Sequence, residues 1–315
     1  GHETAATAAS ITSHMIKAFV SLVSLVCLGL TALGLSGCSP LALFDALGPR
    51  DKGGRLAVRD AAYGADPRQR LDVFVPTVPV ERAPVLVFFY GGSWNSGSKD
   101  DYAFAAQAFA AQGFVTVLPD YRLYPKARFP EFLKDGAAAI AWVRDNIAAQ
   151  GGDPNRIVLA GHSAGAYNAA MLGLDTEYLR HAGVDPRTVR AVAGLSGPYD
   201  FLPFDQKTSI EVFGQAPDPE ATQPVSFADA HSPPTFLATG DKDTVVKPRK
   251  TASLAERLRT ARVPVQERIY EGLDHSDTLL ALSVSFRRKA PVLAEMSAFL
   301  HQHAGARRLT TLTMH

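Results

Sequence analysis

Arg156-Ile157-Val158-Leu159-Ala160-Gly161-His162-Ser163-Ala164-Gly165 is the stretch on which the reading of this chain turns. Ile157 to Ala160 form a continuous apolar run, the pattern of a strand buried on both faces. From Ala164 the residues are small and helix-compatible, so Ser163 stands at the corner where a strand turns into a helix. A corner that sharp strains its central residue and brings bulky neighbours into collision, which accounts for glycine two positions either side of the serine. Such an elbow is a way of presenting a nucleophilic hydroxyl. Five residues alone decide little. Their weight depends on a base, an acid and oxyanion donors standing at neighbouring strand ends.

Working outward, strands and helices alternate. Residues 71–75 alternate apolar and polar and read as an edge strand ended by Pro76. Residues 84–89 are continuously apolar, a doubly buried strand. Further strands are expected over 114–118, 189–195, 235–239 and 265–270, with helices over 100–112, 130–150, 248–261 and 289–302. The fold class implied is α/β: a mostly parallel central sheet with helices on both faces. Residues 40–68 contain Gly and Pro and read as a lead-in over the surface. The segment 199–233, with its prolines, is expected to be a short lid insertion over the pocket. The folded domain is expected to span 69–303, with a tail over 304–315.

Active residues of such sheets lie beyond the carboxyl ends of the strands, and each candidate falls there. Ser163 is the expected nucleophile. A base should leave the last core strand, and His275 stands in Tyr270-Glu271-Gly272-Leu273-Asp274-His275. An acid should follow the strand before it, where Gly240-Asp241-Lys242-Asp243 offers two carboxylates. Asp243 is favoured, because the chain must first turn off the strand; Asp241 is expected to hold that turn through local hydrogen bonds. Asp243 would then fix the imidazole tautomer without taking the proton itself. The oxyanion hole needs backbone N–H groups, which Ala164 and the loop Gly91-Gly92-Ser93 are placed to give. Within that loop Gly92 and Ser93 are the expected donors and Gly91 shapes the turn. His162 sits too near Ser163 to act as its base and is expected to support the elbow from beneath. Tyr90 and Trp94 are candidates for the pocket wall.

Composition narrows the field. The 315 residues are 46% hydrophobic and 20% charged, with a formal charge of +1, which gives no support for a nucleic-acid partner. Both cysteines, Cys27 and Cys38, lie in or just after an early apolar run. The folded part therefore has no thiol chemistry, and the histidines show no ligand pair, so no metal is expected. Residues 1–14 are polar and alanine-rich and read as a leader outside the fold. Residues 15–37 read as a secretory signal: Met15-Ile16-Lys17, an apolar stretch, then Leu35-Ser36-Gly37-Cys38. That ending resembles the lipobox of bacterial lipoproteins. The resemblance implies lipidation at Cys38, and Ser39 leans toward the outer membrane.

Taken together, the motifs Tyr90-Gly91-Gly92-Ser93-Trp94, Asp120-Tyr121-Arg122-Leu123, Gly161-His162-Ser163-Ala164-Gly165, Asp241-Lys242-Asp243 and Asp274-His275 resemble the microbial carboxylesterases of the hormone-sensitive-lipase-like α/β-hydrolases. The resemblance covers roughly residues 69–300 and includes the chain order Ser163, Asp243, His275. It implies hydrolysis of short-chain or aryl carboxylic esters through an acyl-enzyme, with no cofactor. Two positions depart from the pattern: Tyr90 replaces the usual histidine before the glycines, and Ser93 replaces a third glycine. A tyrosine hydroxyl could take over the histidine's loop-supporting hydrogen bond. An amide-cleaving relative, such as an arylformamidase, would use the same residues. A non-catalytic surface lipoprotein using the fold for binding is the reading from another class. The expected partners are a small-molecule ester and a membrane reached through lipid at Cys38. The expected location is the bacterial cell envelope, on the periplasmic side of the outer membrane or at the cell surface.

Overall fold

The computed structural model describes residues 40–305. Cys38 and the expected leader, signal and tail beyond Gly305 lie outside the described residues. The chain divides into two units, at Leu47 and Gly48. The described part of the first is one helix, α1 (Pro40–Leu47). Among the described residues, no helix is long and apolar enough to cross a membrane.

The second unit is built on one eight-stranded sheet. Its strands are β1 (Gly54–Ala62), β2 (Arg70–Pro76), β3 (Ala83–Phe89), β4 (Val115–Pro119), β5 (Gly152–His162), β6 (Val189–Leu195), β7 (Thr235–Gly240) and β8 (Val265–Tyr270). They lie side by side in the order β1-β2-β4-β3-β5-β6-β7-β8. β1 and β2 are antiparallel to their neighbours, and every other pairing is parallel. Helices α2 (Ala103–Ala111), α3 (Glu131–Asn146), α4 (Ala164–Leu174), α5 (Glu177–His181), α6 (Lys207–Phe213), α7 (Arg249–Thr260), α8 (Asp277–Leu280) and α9 (Val292–Ala304) complete it.

The topology fixes where a site can form. From β3 the chain crosses through α2 to β4 on one side, then returns through α3 past β3 to β5 on the other. Right-handed crossovers in opposite directions put their helices on opposite faces. α3 and α4 accordingly share a face and pack together, whereas α2 packs with α9. The reversal opens a crevice beyond the carboxyl ends of β3 and β5. Burial follows the sequence: all seven residues of β3 and all eleven of α4 are buried. α4 reads Ala-Gly-Ala-Tyr-Asn-Ala-Ala-Met-Leu-Gly-Leu, and its small residues let the helix lie close on the sheet.

Two expectations are corrected. Residues 40–68 are not only a surface lead-in, because β1 lies within them and pairs with β2. Register shifts near Val58 break its period-two pattern and hide it from a periodicity reading. β2 is not an edge strand either; β1 covers it. The polar residue that suggested an edge, Asp72, is buried against Lys99, 3.0 Å away. Lys99 is itself buried and also meets Asp60 at 2.7 Å and Asp100 at 3.0 Å, so one cation bridges carboxylates from β1, β2 and its own loop. The segment 199–233 is strapped to the body. Phe129 N–H donates to the Val212 carbonyl at 3.0 Å, Tyr167 O–H to the Thr222 carbonyl at 2.7 Å, and Ser253 O–H to Asp200 Oδ2 at 2.6 Å, while Phe201 N–H, donating to Gln223 Oε1 at 2.8 Å, ties the segment to itself.

Candidate active site

β5 ends at His162, and Ser163 follows with φ 55° and ψ −124° before α4 begins. A non-glycine residue held at positive φ marks a strained, over-determined corner. Its neighbours explain how the corner closes. A Cβ on Gly161 would lie 2.2 Å from the Gly165 carbonyl oxygen, and one on Gly165 would lie 2.0 Å from the Phe89 carbonyl oxygen. Ser163 N–H donates to the Leu195 carbonyl at 2.8 Å, tying the corner to β6. Ser163 remains partly open to solvent while both flanking residues are buried.

His275 reaches Ser163 from the loop after β8. Its Nε2 lies 2.9 Å from Ser163 Oγ, and its Nδ1 lies 2.8 Å from Asp243 Oδ2. Asp243 is buried, and its other oxygen, Oδ1, accepts N–H groups from Val245 at 3.0 Å and Val246 at 2.8 Å. Burial alone would raise this carboxyl, but His275, the Val246 N–H and Ser196 together hold it below the usual aspartate value. The structure therefore places Ser163, His275 and Asp243 in one hydrogen-bonded line across three strand ends.

Asp241 works differently from expectation. Its Oδ1 accepts the Gly272 N–H at 2.7 Å, a bond to the loop carrying the base rather than to its own turn. The Lys242 N–H donates to the Leu273 carbonyl at 3.0 Å, and a Cβ on Gly240 would come within 2.0 Å of that carbonyl oxygen. The loops bearing the acid and the base are thus laced together by backbone.

The loop after β3 curls back on itself. The Gly92 carbonyl accepts N–H groups of Asn95 at 3.1 Å and Ser96 at 3.0 Å, with Ser93 and Trp94 at φ 53° and 58°. Gly92 is required: at φ 131°, a Cβ would sit 2.2 Å from the Ser96 carbonyl oxygen. The N–H groups of Gly92, Ser93 and Ala164 carry no hydrogen bond among the described residues. Gly91 serves close approach at the root of this loop: a Cβ there would lie 3.0 Å from Ser163 Cβ and 3.0 Å from the Tyr102 hydroxyl oxygen.

Tyr90 is not a pocket residue. It is fully buried, stacks on Tyr121 at 4.5 Å and accepts a 2.6 Å hydrogen bond from Arg68 Nη2. Burial pushes its phenol well above the usual value. Arg68 also reaches the Gly97 carbonyl at 3.0 Å and Asp120 at 3.4 Å, while Tyr121 O–H donates to the Tyr90 carbonyl at 2.8 Å. The Asp120-Tyr121 pair therefore braces the oxyanion loop from beneath. Ser93 is exposed. Trp94 is buried on the scaffold: its Nε1–H donates to Asn168 Oδ1 at 3.0 Å, and its ring meets Tyr167 at 5.2 Å and Phe213 at 4.8 Å.

His162 lies beneath the elbow. Burial, reinforced by the neighbouring His275, depresses it from 6.5 to about 3. The unfolded chain therefore binds a proton that the folded one rejects between those values, so stability rises with pH across the window and falls as pH drops through it. The effect is on the order of 5 kcal/mol at most. Denaturant midpoints measured from pH 7 to pH 4 are expected to fall less steeply in His162→Gln than in wild type. Equal slopes would remove His162 as a source of acid sensitivity.

Sequence reasoning did not find Tyr102, Ser196, Thr278 or Arg68. None stands in the residue patterns that announce catalysis; each contributes through a contact made across the sheet. Among the described residues, no group of three side chains is arranged to hold a metal.

Residues 71–258 match the BD-FAE family model. Esterase LipC of Mycobacterium tuberculosis is 33% identical, across 78% of this chain and 64% of that protein. Carboxylesterase NlhH of the same species is 30% identical, across 76% of this chain and 79% of its own length. Isoprenylcysteine alpha-carbonyl methylesterase ICME of Arabidopsis thaliana is 30% identical, across 70% of this chain and 57% of its own. The match thus spans less than two thirds of several relatives, LipC and ICME among them. Among solved structures, Esterase B from Lactobacillus rhamnosis superposes with a TM-score of 0.74 at 17% identity, covering 91% of this chain and 96% of that one. A truncated carbohydrate esterase from gut microbiota gives 0.72 at 19% identity, covering 82% and 100%. At these identities the structures speak for the fold alone.

Proposed function

The chain belongs to the BD-FAE family, in the hormone-sensitive-lipase-like branch of the α/β-hydrolases, and from that premise we propose that it is a serine carboxylic-ester hydrolase. One observation carries the proposal: Oγ of the partly exposed Ser163 lies 2.9 Å from an imidazole whose far nitrogen is 2.8 Å from a buried carboxylate.

The chemistry follows from those contacts. Ser163 Oγ attacks the ester carbonyl carbon as His275 Nε2 takes its proton. The carbonyl π pair moves to oxygen, and the N–H groups of Gly92, Ser93 and Ala164 receive the resulting oxyanion. His275 returns the proton to the departing alkoxide oxygen, leaving an acyl group on Ser163. Water, deprotonated by the same nitrogen, then repeats the sequence and frees the acid. Asp243 keeps the Nδ1 proton in place and stabilises the imidazolium. The short-chain or aryl preference in this reading rests on the motif resemblance alone.

The test is a panel of p-nitrophenyl esters from acetate to decanoate, with aryl formamides and feruloyl esters, on wild type and Ser163→Ala. Wild type is expected to favour the short or aryl esters, with kcat lower in Ser163→Ala by about 10⁴-fold or more. Indistinguishable wild-type and Ser163→Ala proteins on every substrate would sink the reading. Preference for formamides would move it to an amide-cleaving relative. Attachment by lipid at Cys38 forms a second part of the proposal, supported by Leu35-Ser36-Gly37-Cys38. Expression in a Gram-negative host and mass measurement of the mature amino terminus tests it; a terminus other than lipidated Cys38 overturns it.

A further inference from the structure

We propose that His162 is a positioning residue, a neutral imidazole that links the oxyanion loop, the nucleophile elbow and the base loop into one hydrogen-bonded frame. The inference rests on the esterase reading above. It adds to that reading a role for a residue beside the nucleophile that takes no part in proton transfer.

The geometry fixes the proton positions. His162 Nε2 lies 2.9 Å from the backbone carbonyl oxygen of His275. A carbonyl can only accept, so Nε2 carries the hydrogen. In the neutral ring Nδ1 is then the acceptor, and the Tyr102 hydroxyl, 3.1 Å away, must donate to it. Tyr102 and His162 are both buried, so no water competes for these bonds. On its other side the Tyr102 oxygen is faced by the Gly91 backbone, at the root of the oxyanion loop. One ring therefore spans from the loop after β3, through the elbow after β5, to the loop after β8.

The frame closes on the acid as well. The His275 carbonyl accepts a second hydrogen bond, from Thr278 Oγ1 at 3.1 Å. Thr278 Oγ1 lies 3.0 Å from Ser196 Oγ, and Ser196 supports the Asp243 carboxylate. Ser196 and Thr278 are fully buried, and Ser196 is held at φ 52° by its place at the end of β6. Besides the backbone bonds at Gly272 and Leu273, the His275 carbonyl fastens its loop at the base itself. The imidazole ring swings between Ser163 and a leaving group during turnover, and a slack loop would lose alignment in the transition state more than in the bound substrate.

That distinction gives the test. We expect His162→Ala to lower kcat about 30-fold and Tyr102→Phe about fivefold, with KM changed by less than about twofold. His162→Gln keeps a donor near the Nε2 position and is expected to recover kcat to within about threefold of wild type. Adding Tyr102→Phe to His162→Ala should cost almost nothing more, since the two act through one bond. The rate of covalent labelling of Ser163 by diethyl p-nitrophenyl phosphate should follow the same order, and it needs no ester turnover. The inference is overturned if Tyr102→Phe and His162→Ala multiply independently, if the loss falls on KM, or if Tyr102→Phe labels at the wild-type rate. Tyr102→Phe preserves volume and keeps the test decisive should His162→Ala fail to fold. Normal labelling without any ester turnover would instead count against the esterase reading alone, and absence of labelling in wild type would overturn both.

Discussion

Asp243→Asn is expected to lower kcat on a p-nitrophenyl ester about 10⁴-fold with little change in KM, the scale seen when a triad carboxylate is made an amide. The reason is visible in the acid's own hydrogen bonds. Oδ1 accepts two backbone N–H groups, from Val245 and Val246. An asparagine must keep its oxygen there, because an NH₂ group cannot face two donors. Its NH₂ is then forced toward His275 Nδ1, which must become an acceptor. The imidazole proton moves to Nε2, where it points at Ser163 Oγ from 2.9 Å. The base becomes a donor and cannot take the serine proton. Steady-state kinetics with thermal melting alongside checks this. A loss of only about tenfold in a normally folded variant would mean that Asp243 does not set the tautomer.

Gly165→Ala is expected to cost more than about 4 kcal/mol, a large part of a typical domain's stability, and so to lower the melting temperature by about 10 °C or more. The added methyl carbon would lie 2.0 Å from the Phe89 carbonyl oxygen, 2.4 Å from its carbon and 2.5 Å from the Tyr90 carbonyl oxygen. All three are backbone atoms at the end of β3, a strand held by hydrogen bonds to β4 and β5. None can swing aside as a flexible side chain would. Gly305→Ala is the control, since nothing lies within 4 Å of its added carbon. Differential scanning calorimetry compares the pair; a Gly165→Ala midpoint within about 3 °C of wild type would refute the close-packing argument.

What the sequence made legible was what depends on local pattern. The apolar runs of β3 and β5 and the glycines around Ser163 are dictated by burial and by a tight corner, and both leave marks in neighbouring residues. His275 and Asp243 could be picked out because strand order confines active groups to particular loops. What stayed hidden depends on partners distant in sequence. Asp72 looks like a surface residue until Lys99 is seen buried beside it. Tyr90 looks like a wall of the pocket until Arg68 is found holding its hydroxyl from the other side. Tyr102 sits in an unremarkable turn, 60 positions before the histidine it serves. β1 escaped because its register shifts erase the alternation on which strand reading relies.

The wholly buried helix behind Ser163 has a consequence for anyone wishing to redirect the proposed activity. α4 presents no open face, and its Gly173 would meet Val192 at 2.4 Å if given even a methyl. Randomising that helix would produce mostly unfolded clones. The segment 199–233 carries residues that enter the aromatic packing around Trp94, Phe201 and Phe213 among them, yet it also has an exposed outer side at Ile210. A library confined to that strap leaves the reactive centre on its rigid footing while the aromatic packing around Trp94 is varied. Adaptability and constraint are thus assigned to different stretches of the polypeptide, and breeding for a new ester should begin with the former.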